Sequence, residues 1–326
     1  MEIHERNVMV SIVCITYNQE KYIKEALESF LMQKTAYEYE ILIHDDASTD
    51  GTAEIIRRYE MRYPDRIRTV IQKENQYSKN IDIIQEYIIP MAKGKYIALC
   101  EGDDYWTDPY KIEKQVKALE KNPNCNICTH TAAIIDGKSG KVIKYIAPSE
   151  SNTIFPTREV ILGGGGFVAT NSIMMRKKVF EHIPNFRKVY RLDYSLQIMG
   201  SLDGGMLYLA DCMSVYRMFA ENSWTTRTRY NTALQIEHFR RVIKLLKCLN
   251  CDTKKIYNKE IAYLIKKEEY KILLLNGNYR KAIGDEYRTI FKEETMIAKI
   301  KIYIKLFFPW INRINMWRYM RNAGKQ

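Results

Sequence analysis

Strand-like apolar runs alternate with helical segments along the first hundred residues, and this alternation constrains the fold more than any other feature of the sequence. Residues 8–18, VMVSIVCITYN, are almost continuously apolar and rich in β-branched side chains, which predicts a strand buried on both faces. Helical spacing follows over 20–32. Further strands are predicted at 38–46, 67–75 and 95–100. This order is typical of a doubly wound α/β sheet with mostly parallel strands.

Polar clusters stand at the ends of three of these predicted strands. They are TYN at 16–18, HDD at 44–46 and EGDD at 101–104. Parallel strands in a doubly wound sheet present their carboxyl ends at one edge, where ligands bind. The sequence therefore predicts a single pocket built from all three clusters.

The pattern continues to about residue 220. A helix is predicted over 80–91, and another follows Pro109. Four glycines at 163–166 predict backbone that is either mobile or pressed close to a ligand. Later strands are predicted at 126–135, 141–146, 172–175 and 206–218.

Adjacent carboxylates at Asp103 and Asp104, with Glu101 two residues earlier, raise one another's pKa unless a cation lies nearby. Mg²⁺ and Mn²⁺ are the simplest candidates, because they accept one or two protein carboxylates and fill the rest of their shell with water and diphosphate oxygens. The alternative is that the acidic residues at 45–46 and 101–104 only form turns and cap the helices that follow.

Positive and negative residues are distributed unequally between the two parts of the chain. Residues 1–226 carry 28 Lys and Arg against 30 Asp and Glu, whereas residues 227–326 carry 23 against 9. We expect a boundary near 224–230, with a catalytic domain over 1–226 and a basic helical region over 227–326. The excess of positive charge indicates an anionic partner for the second region, either a membrane surface or a nucleic acid.

An amphipathic basic helix is predicted near the carboxyl end. Its apolar face comprises Met296, Ile297, Ile300, Ile304, Phe307, Phe308 and Ile311. Lys299, Lys301, Lys305 and Arg313 fall off that face, and Trp310 and Trp317 lie nearby. This pattern indicates that residues 296–321 bind an anionic membrane surface. The alternative is that this helix packs on the first domain or on a partner subunit. No nucleic-acid-binding motif accompanies the positive charge.

Sequence features favour a cytoplasmic protein with reduced thiols. The first residues lack the basic and apolar regions of a secretory signal, and no run of about 18 apolar residues is present. The seven cysteines include pairs at Cys125/Cys128 and Cys248/Cys251. A zinc site made from both pairs is an alternative, although their separation is far from that of a zinc ribbon.

The segments VSIVCITYN, ILIHDDASTDGT, YIALCEGDDYW and RLDYSL resemble, in order and spacing, those of family 2 glycosyltransferases. The resemblance covers about residues 9–225. It implies the GT-A nucleotide-sugar-binding fold and an inverting, metal-dependent transfer from a UDP-sugar to a glycan or lipid-linked glycan in surface polysaccharide synthesis. The Q-x-x-R-W signature of processive synthases is absent, which favours one transfer per encounter.

The resemblance also implies roles for individual residues. Tyr17 would stack on the base, and Asp46 would accept from its N3–H. Glu101 would lie near the ribose, and Asp103 would bind Mn²⁺ or Mg²⁺, with Asp104 as a substitute ligand. The nucleotide-binding set it implies is Thr16, Tyr17, Asn18, Asp45, Asp46, Glu101 and Asp103.

Asp193 is similar to the family's general base, although an N-cap before the next helix is the alternative. Arg217 resembles a residue near the diphosphate, but Phe219 stands where the family often has His. The remaining sugar or acceptor candidates are Trp106, which could also be a core aromatic, Gly165 and Asn171. Other functions left open are a nucleotidyltransferase and a non-catalytic protein that binds membrane or nucleic acid through its basic region.

Overall fold

The computed structural model describes residues 7–220, 228 and 231–308 of the 326-residue chain. Backbone contacts divide the chain into two compact units, Met1–Arg227 and Thr228–Gln326. The first unit is built on one sheet flanked by helices, and the second is helical.

One ten-stranded mixed sheet organises the first unit. Its main path runs β3-β2-β1-β4-β9-β6-β10-β5, with β7 paired to β6 and β8 paired to β10. The strands are β1 Val10–Thr16, β2 Tyr39–Asp45, β3 Ile67–Ile71, β4 Tyr96–Leu99, β5 Tyr105–Trp106, β6 Ile127–Asp136, β7 Val142–Ile146, β8 Thr153–Phe155, β9 Met174–Arg176 and β10 Met206–Met218.

The parallel half of the sheet determines where the polar clusters lie. Strand β1 is parallel to both β2 and β4, and β2 is parallel to β3. Strand β9 is antiparallel to β4 and β6, while β6 and β10 are parallel. The carboxyl ends of β1, β2 and β4 therefore meet at one edge, as the sequence predicts.

Among the described residues, six α-helices flank this sheet. They are α1 Ile23–Leu31, α2 Thr52–Arg62, α3 Lys111–Lys121, α4 Thr157–Gly163, α5 Asn185–Val189 and α6 Asp193–Ser201. One apolar cluster joins β1, β2 and β4 to α1, α2 and α3. Leu27 and Phe30 of α1 and Val116 of α3 are completely buried in it, because their helical spacing places them on one face.

Two predicted elements differ from the structure. Strand β3 ends at Ile71 rather than at residue 75, since the chain bends there and the N–H groups of Gln76 and Tyr77 donate to Asp46. The helix predicted over 80–91 is a single π-helical turn, Ile84–Ile88. Asn80 has a left-handed φ of 58° and Pro90 lacks an N–H, so neither end extends the turn.

The second unit has its own small core. Its helices are α7 Thr232–Asp252, α8 Asn258–Leu275, α9 Tyr279–Ala282, α10 Arg288–Glu293 and α11 Met296–Phe307. Tyr270, Tyr287 and Ile302 are buried together there. The Asn231 side chain accepts from Leu234 N–H at 3.0 Å and so begins α7. Within the described residues, no helix is long and apolar enough to cross a bilayer.

The predicted amphipathic helix is present as α11, and Thr295 caps it by accepting from Ala298 N–H at 3.2 Å. Its predicted apolar face is exposed, and Ile302 on the opposite side is the residue that packs inward. Trp310, Ile311, Arg313 and Trp317 lie outside the described residues.

We expect Ile41→Ala to lower the free energy of unfolding by about 2–5 kcal/mol, because Ile41 is completely buried in β2 and its loss leaves a cavity. Urea denaturation of the full chain measures the change. Met61→Ala on the exposed side of α2 is the matched control and should stay within about 0.5 kcal/mol of the parent. Equal losses in both variants would contradict the assigned core.

Candidate functional site

Hydrogen bonds join the loop after β1 to the loop after β2. Asn18 N–H donates to Ser48 Oγ at 2.8 Å, and Thr49 N–H donates back to Asn18 Oδ1 at 2.7 Å. Gln19 N–H donates to Thr52 Oγ1 at 2.8 Å. Asn18 takes a left-handed φ of 53°, which asparagine tolerates better than most residues. The side chain of Tyr17 beside it is 37% exposed at the mouth of this edge.

The loop after β4 packs directly against the loop after β1. Gly102 N–H donates to Ile15 O at 3.1 Å. A Cβ at Gly102 would lie 2.5 Å from Gln19 Oε1 and 2.8 Å from Thr16 Oγ1, so this position needs glycine. Thr16 Oγ1 donates to Gln19 Oε1 at 2.7 Å. All three polar clusters therefore meet at one edge of the sheet.

The two aspartates after β2 have different surroundings. Asp45 is completely buried and accepts from both the N–H and the hydroxyl of Ser48, and burial raises the pKa of its carboxyl. The structure thus corrects the assignment of Asp45 as a nucleotide contact, since it holds the loop instead. Asp46 is also buried, at 2% exposed, and accepts from Gln76 N–H at 2.7 Å and Tyr77 N–H at 3.1 Å, and each of its oxygens keeps a further lone pair.

A group of carboxylates lies in the cleft beyond β4. The side chain of Glu101 reaches solvent, yet protein surrounds it closely, and this loss of solvation raises the pKa of Glu101 well above its usual range. The charges of Asp193, Asp103 and Asp104 raise that pKa further. Burial also raises the pKa of Asp103, an effect that Arg217 and the Gln19 side chain partly offset.

Asp193 begins α6, but it does not cap that helix. Leu192 occupies the capping position, and its side chain makes no capping hydrogen bond. Thr170 Oγ1 instead donates to Asp193 Oδ2 at 2.6 Å. The buried Arg187 donates to Leu192 O at 3.0 Å and lies in the fields of Asp82 and Asp193. The capping alternative for Asp193 is therefore wrong, and its carboxylate shares the cleft with Glu101.

Asp104 and Arg217 hold the loop after β4 in place through buried hydrogen bonds. Asp104 is 1% exposed and accepts from Asn171 Nδ2 at 2.9 Å and Arg217 N–H at 2.8 Å. Arg217 donates to the Asp103 carbonyl and to Glu25 Oε2, and its guanidinium lies over the ring of Tyr22. These contacts favour a support role for both residues over the predicted metal and diphosphate contacts: each Asp104 oxygen accepts a buried hydrogen bond, and Arg217 holds the loop.

Asn171 and Trp106 also belong to this buried support. Asn171 is completely buried, donates to Val215 O at 2.9 Å and accepts from Ser214 Oγ at 2.6 Å. Trp106 is 1% exposed, its Nε1–H donates to Asn171 O at 3.0 Å, and Lys111 Nζ lies 3.9 Å from its ring centroid. Neither side chain can contact a sugar, so the structure corrects both predictions in favour of the core alternative for Trp106.

The glycine run is open to solvent near the first turn of α6. Gly165 is exposed, and its carbonyl accepts from Gln197 Nε2 at 3.3 Å. A Cβ at Gly165 would make an ordinary 3.6 Å contact with Tyr194, while Gly164 has a left-handed φ of 68°. Gly165 thus keeps its place as a candidate acceptor contact.

Divalent cations suit the donor set of the cleft, although the described ranges hold no group of three or more His, Cys, Asp or Glu side chains that could bind a metal by themselves. The carboxylates of Glu101 and Asp103 lie close together, and the positive groups nearby offset their negative charge only in part. One or two carboxylates with open positions are typical of magnesium sites that also bind phosphate oxygens. The alternative zinc site is wrong for the described residues, whose cysteines form no such group.

Three residues of the site carry no signal that singles them out in the sequence. Gln19 lies between Thr16 and Asp103, Ser48 joins two loops, and Thr170 orients Asp193. Ser and Thr are common in loops, so type alone does not mark them. Their proximity to the TYN, HDD and glycine segments is the only hint in the sequence.

The chain belongs to glycosyltransferase family 2, whose model, "Glycosyl transferase family 2", matches residues 11–184. That span contains β1 to β9 with the loops after β1, β2 and β4. The family assignment from the motifs is therefore confirmed.

Curated relatives are similar over the same region. An uncharacterised protein of Mycobacterium tuberculosis is 37% identical over 218 residues, which are 66% of this chain and 60% of that protein. An Escherichia coli UDP-Glc:α-D-GlcNAc-diphosphoundecaprenol β-1,3-glucosyltransferase is 36% identical over 34% of this chain and 41% of its own length. The chain thus spans about 60% of the length of the mycobacterial relatives that it matches.

Solved structures confirm the GT-A fold. The S. aureus TarS 1–349 complex with UDP-GlcNAc has a TM-score of 0.59 at 14% identity, covering 86% of this chain and 83% of that one. The Pyrobaculum calidifontis mannosyltransferase PcManGT, in complex with GDP-Man and Mn²⁺, has a TM-score of 0.58 at 15% identity and covers 97% and 85%.

Replacing Asn171 by leucine should lower the free energy of unfolding by about 1–3 kcal/mol for each buried acceptor left unpaired, here Asp104 and the Val215 carbonyl. Thermal unfolding of the full chain measures the loss. Leucine at the exposed Asn124 tests whether the substitution type alone is harmful. If the two variants melt together, the support role of Asn171 is wrong.

The raised pKa values of Glu101 and Asp103 predict that Mn²⁺ stabilises the protein more at about pH 8 than at about pH 5. Both groups keep protons in the folded state above the usual carboxyl range, so their contribution to stability falls as pH rises through that window. Mn²⁺ binds only the charged forms and relieves their repulsion.

Melting temperatures with and without Mn²⁺ at the two pH values measure this linkage. Asp103→Asn should reduce the Mn²⁺ effect, whereas Asp203→Asn at an exposed turn should leave it intact. A Mn²⁺ shift that is equal at both pH values would mean that these carboxylates do not hold the ion.

Proposed function

We propose that the protein is an inverting glycosyltransferase that moves a sugar from a UDP-sugar to a glycan hydroxyl. The observation that carries the proposal is that Asp193, far from Glu101 and Asp103 in the sequence, lies close enough for its charge to raise the pKa of Glu101, as the charge of Asp103 also does. Family membership supports the reaction class. The UDP-GlcNAc bound by TarS supports a UDP-linked donor, while the GDP-Man bound by PcManGT makes the nucleotide a point to test.

In this proposal the donor's base lies against Tyr17, and Asp46 accepts from the base N3–H. The exposed ring of Tyr17 at the cleft mouth suits stacking. Thr16 and Asn18 hold the wall of the base pocket through their bonds to neighbouring loops. Glu101 faces the ribose.

Asp103 is the proposed protein ligand of Mn²⁺ or Mg²⁺. When bound, the ion neutralises the diphosphate and stabilises the departing UDP. Arg217 holds the Asp103 carbonyl, and Gln19 touches its side chain, so the ligand position is fixed by the protein before donor binding. The Mn²⁺ in the PcManGT complex supports this choice of ion.

Asp193 is the proposed general base. Its carboxylate removes the proton from the acceptor hydroxyl while that oxygen attacks the anomeric carbon and the bond to UDP breaks on the opposite side. One displacement of this kind inverts the anomeric centre. Thr170 orients the carboxylate by donating to Oδ2, which leaves Oδ1 for the acceptor. The open glycine run with Gly165 borders the acceptor.

The acceptor is proposed to be a lipid-linked glycan in cell-surface polysaccharide synthesis, at the inner face of the plasma membrane. The diphosphoundecaprenol-linked acceptor named for the E. coli relative supports this assignment. The basic second region supports attachment to an anionic membrane surface through residues 296–321. This arrangement keeps a water-soluble donor and a membrane-bound acceptor within reach of one protein.

Asp193→Asn should reduce kcat by at least about 100-fold with little change in the KM of the donor, because only the proton transfer is lost. Asp103→Asn should weaken donor binding and shift the Mn²⁺ dependence. Asp203→Asn is the control for a carboxylate outside the cleft. Near-parent activity in both cleft variants would refute the assignment.

The donor is identified by measuring hydrolysis of UDP- and GDP-sugars with and without Mn²⁺. We expect hydrolysis of a UDP-sugar that depends on Mn²⁺ or Mg²⁺. Hydrolysis confined to GDP-sugars would overturn the donor class but not the transfer reaction. Absence of hydrolysis and of calorimetric binding for every nucleotide sugar would favour the non-catalytic alternative.

A further inference from the structure

Helix α11 is apolar on its outer face as well as on its inner one. Ile302 packs into the core of the second unit, while six large apolar side chains on the other side of the helix are exposed. They are Met296, Ile297, Ile300, Tyr303, Ile304 and Phe307, and Phe308, directly after the helix, is exposed as well. At 100° per residue the six helical side chains span one continuous face. A continuous exposed apolar face on a helix marks a surface that binds a partner or a membrane.

Lysines border this outer face on both sides. Lys301 and Lys305 lie along one edge of it, and Lys299, whose Nζ donates to Lys292 O at 2.7 Å, lies along the other. Lysine stems can cover apolar surface while their ammonium groups reach outward to phosphates. An anionic bilayer offers acyl chains and phosphates in the same order as this apolar face and the lysines beside it.

A basic groove opens beside the same edge. It has a volume of about 700 Å³ and is lined by residues 277–281 and by Lys305 and Leu306. Arg280 and Lys281 are exposed there, and Lys305 Nζ lies 5.7 Å from the centroid of the Tyr279 ring. Within the part of the chain that the structure describes, Lys281 pairs with Glu286 at 3.9 Å, and this long, solvent-exposed ion pair contributes little.

We propose that this groove binds the phosphate of an anionic phospholipid headgroup through Arg280, Lys281 and Lys305, while the outer face of α11 lies at the acyl boundary. The proposal rests on the membrane association proposed above and gives it a specific site within the second unit. Charge complementarity selects the occupant, because residues 227–326 carry 23 Lys and Arg against 9 Asp and Glu.

Cosedimentation of the full chain with vesicles tests the site. Vesicles of phosphatidylcholine with phosphatidylglycerol are compared with phosphatidylcholine alone. The triple variant Arg280→Gln, Lys281→Gln, Lys305→Gln should lose at least about tenfold in partitioning to the anionic vesicles, since each cation near such a surface contributes about fivefold.

A matched triple variant separates a specific groove from diffuse charge. Lys254→Gln, Lys255→Gln and Lys259→Gln remove the same charge from exposed positions near the start of α8. The groove follows the other end of this 18-residue helix, about 27 Å away. We expect less than about a threefold loss here. Equal losses in the two triple variants would overturn the groove as a site.

Two further measurements exclude other occupants. Inorganic phosphate at matched ionic strength should displace the protein from vesicles only weakly, and strong displacement would assign the groove to free phosphate instead. Sedimentation velocity without vesicles tests a second copy: a dimer that Ile300→Asn dissociates would overturn the membrane assignment. Donor hydrolysis by the same preparations reports on the proposed transfer reaction separately, because the cleft residues are unchanged in every variant.

Discussion

Repulsion among carboxylates at one sheet edge is the constraint on which the site depends. The charges of Asp103 and Asp193 both raise the pKa of Glu101, although Asp193 comes from a distant segment of the chain. Folding must stabilise this arrangement before any cation arrives. The protein does so with backbone that the parallel strands fix, as at Gly102, where the loop after β4 contacts the loop after β1.

The buried support beneath the cleft explains how the loop keeps its shape. The Asp104 carboxylate accepts hydrogen bonds from Asn171 and Arg217, which lie 67 and 113 residues away in the sequence. A buried carboxylate without donors costs several kcal/mol, on the order of the stability of a whole domain. Because each partner is needed to satisfy another, the loop that carries Asp103 is specified by the fold rather than by its own sequence.

Sequence reasoning succeeded where a pattern has one physical meaning. The run before Asn18 could be read as a buried strand, and three polar clusters after such strands had to share an edge. It failed for Trp106, Asn171 and Arg217, because an aromatic, an amide and a guanidinium serve a binding site and a buried network equally well. Only the hydrogen-bond partners in the structure distinguish a binding role from a role in the buried network. Trp106 Nε1 donates to the Asn171 carbonyl, and Asn171 Nδ2 donates to Asp104.

The opposite charges of the two regions fit the two ligands proposed for them. The acidic cleft of the first region would repel an anionic nucleotide sugar, and a divalent cation that accompanies the donor would offset this repulsion. A positive cleft would attract nucleotide phosphates without a metal, but it would also hold the departing diphosphate after the reaction. An anionic membrane would likewise repel the first region, whose charge is slightly negative, so the proposed attraction lies in residues 227–326. In this proposal, the separation of charge along the chain keeps the site for one ligand from opposing the site for the other.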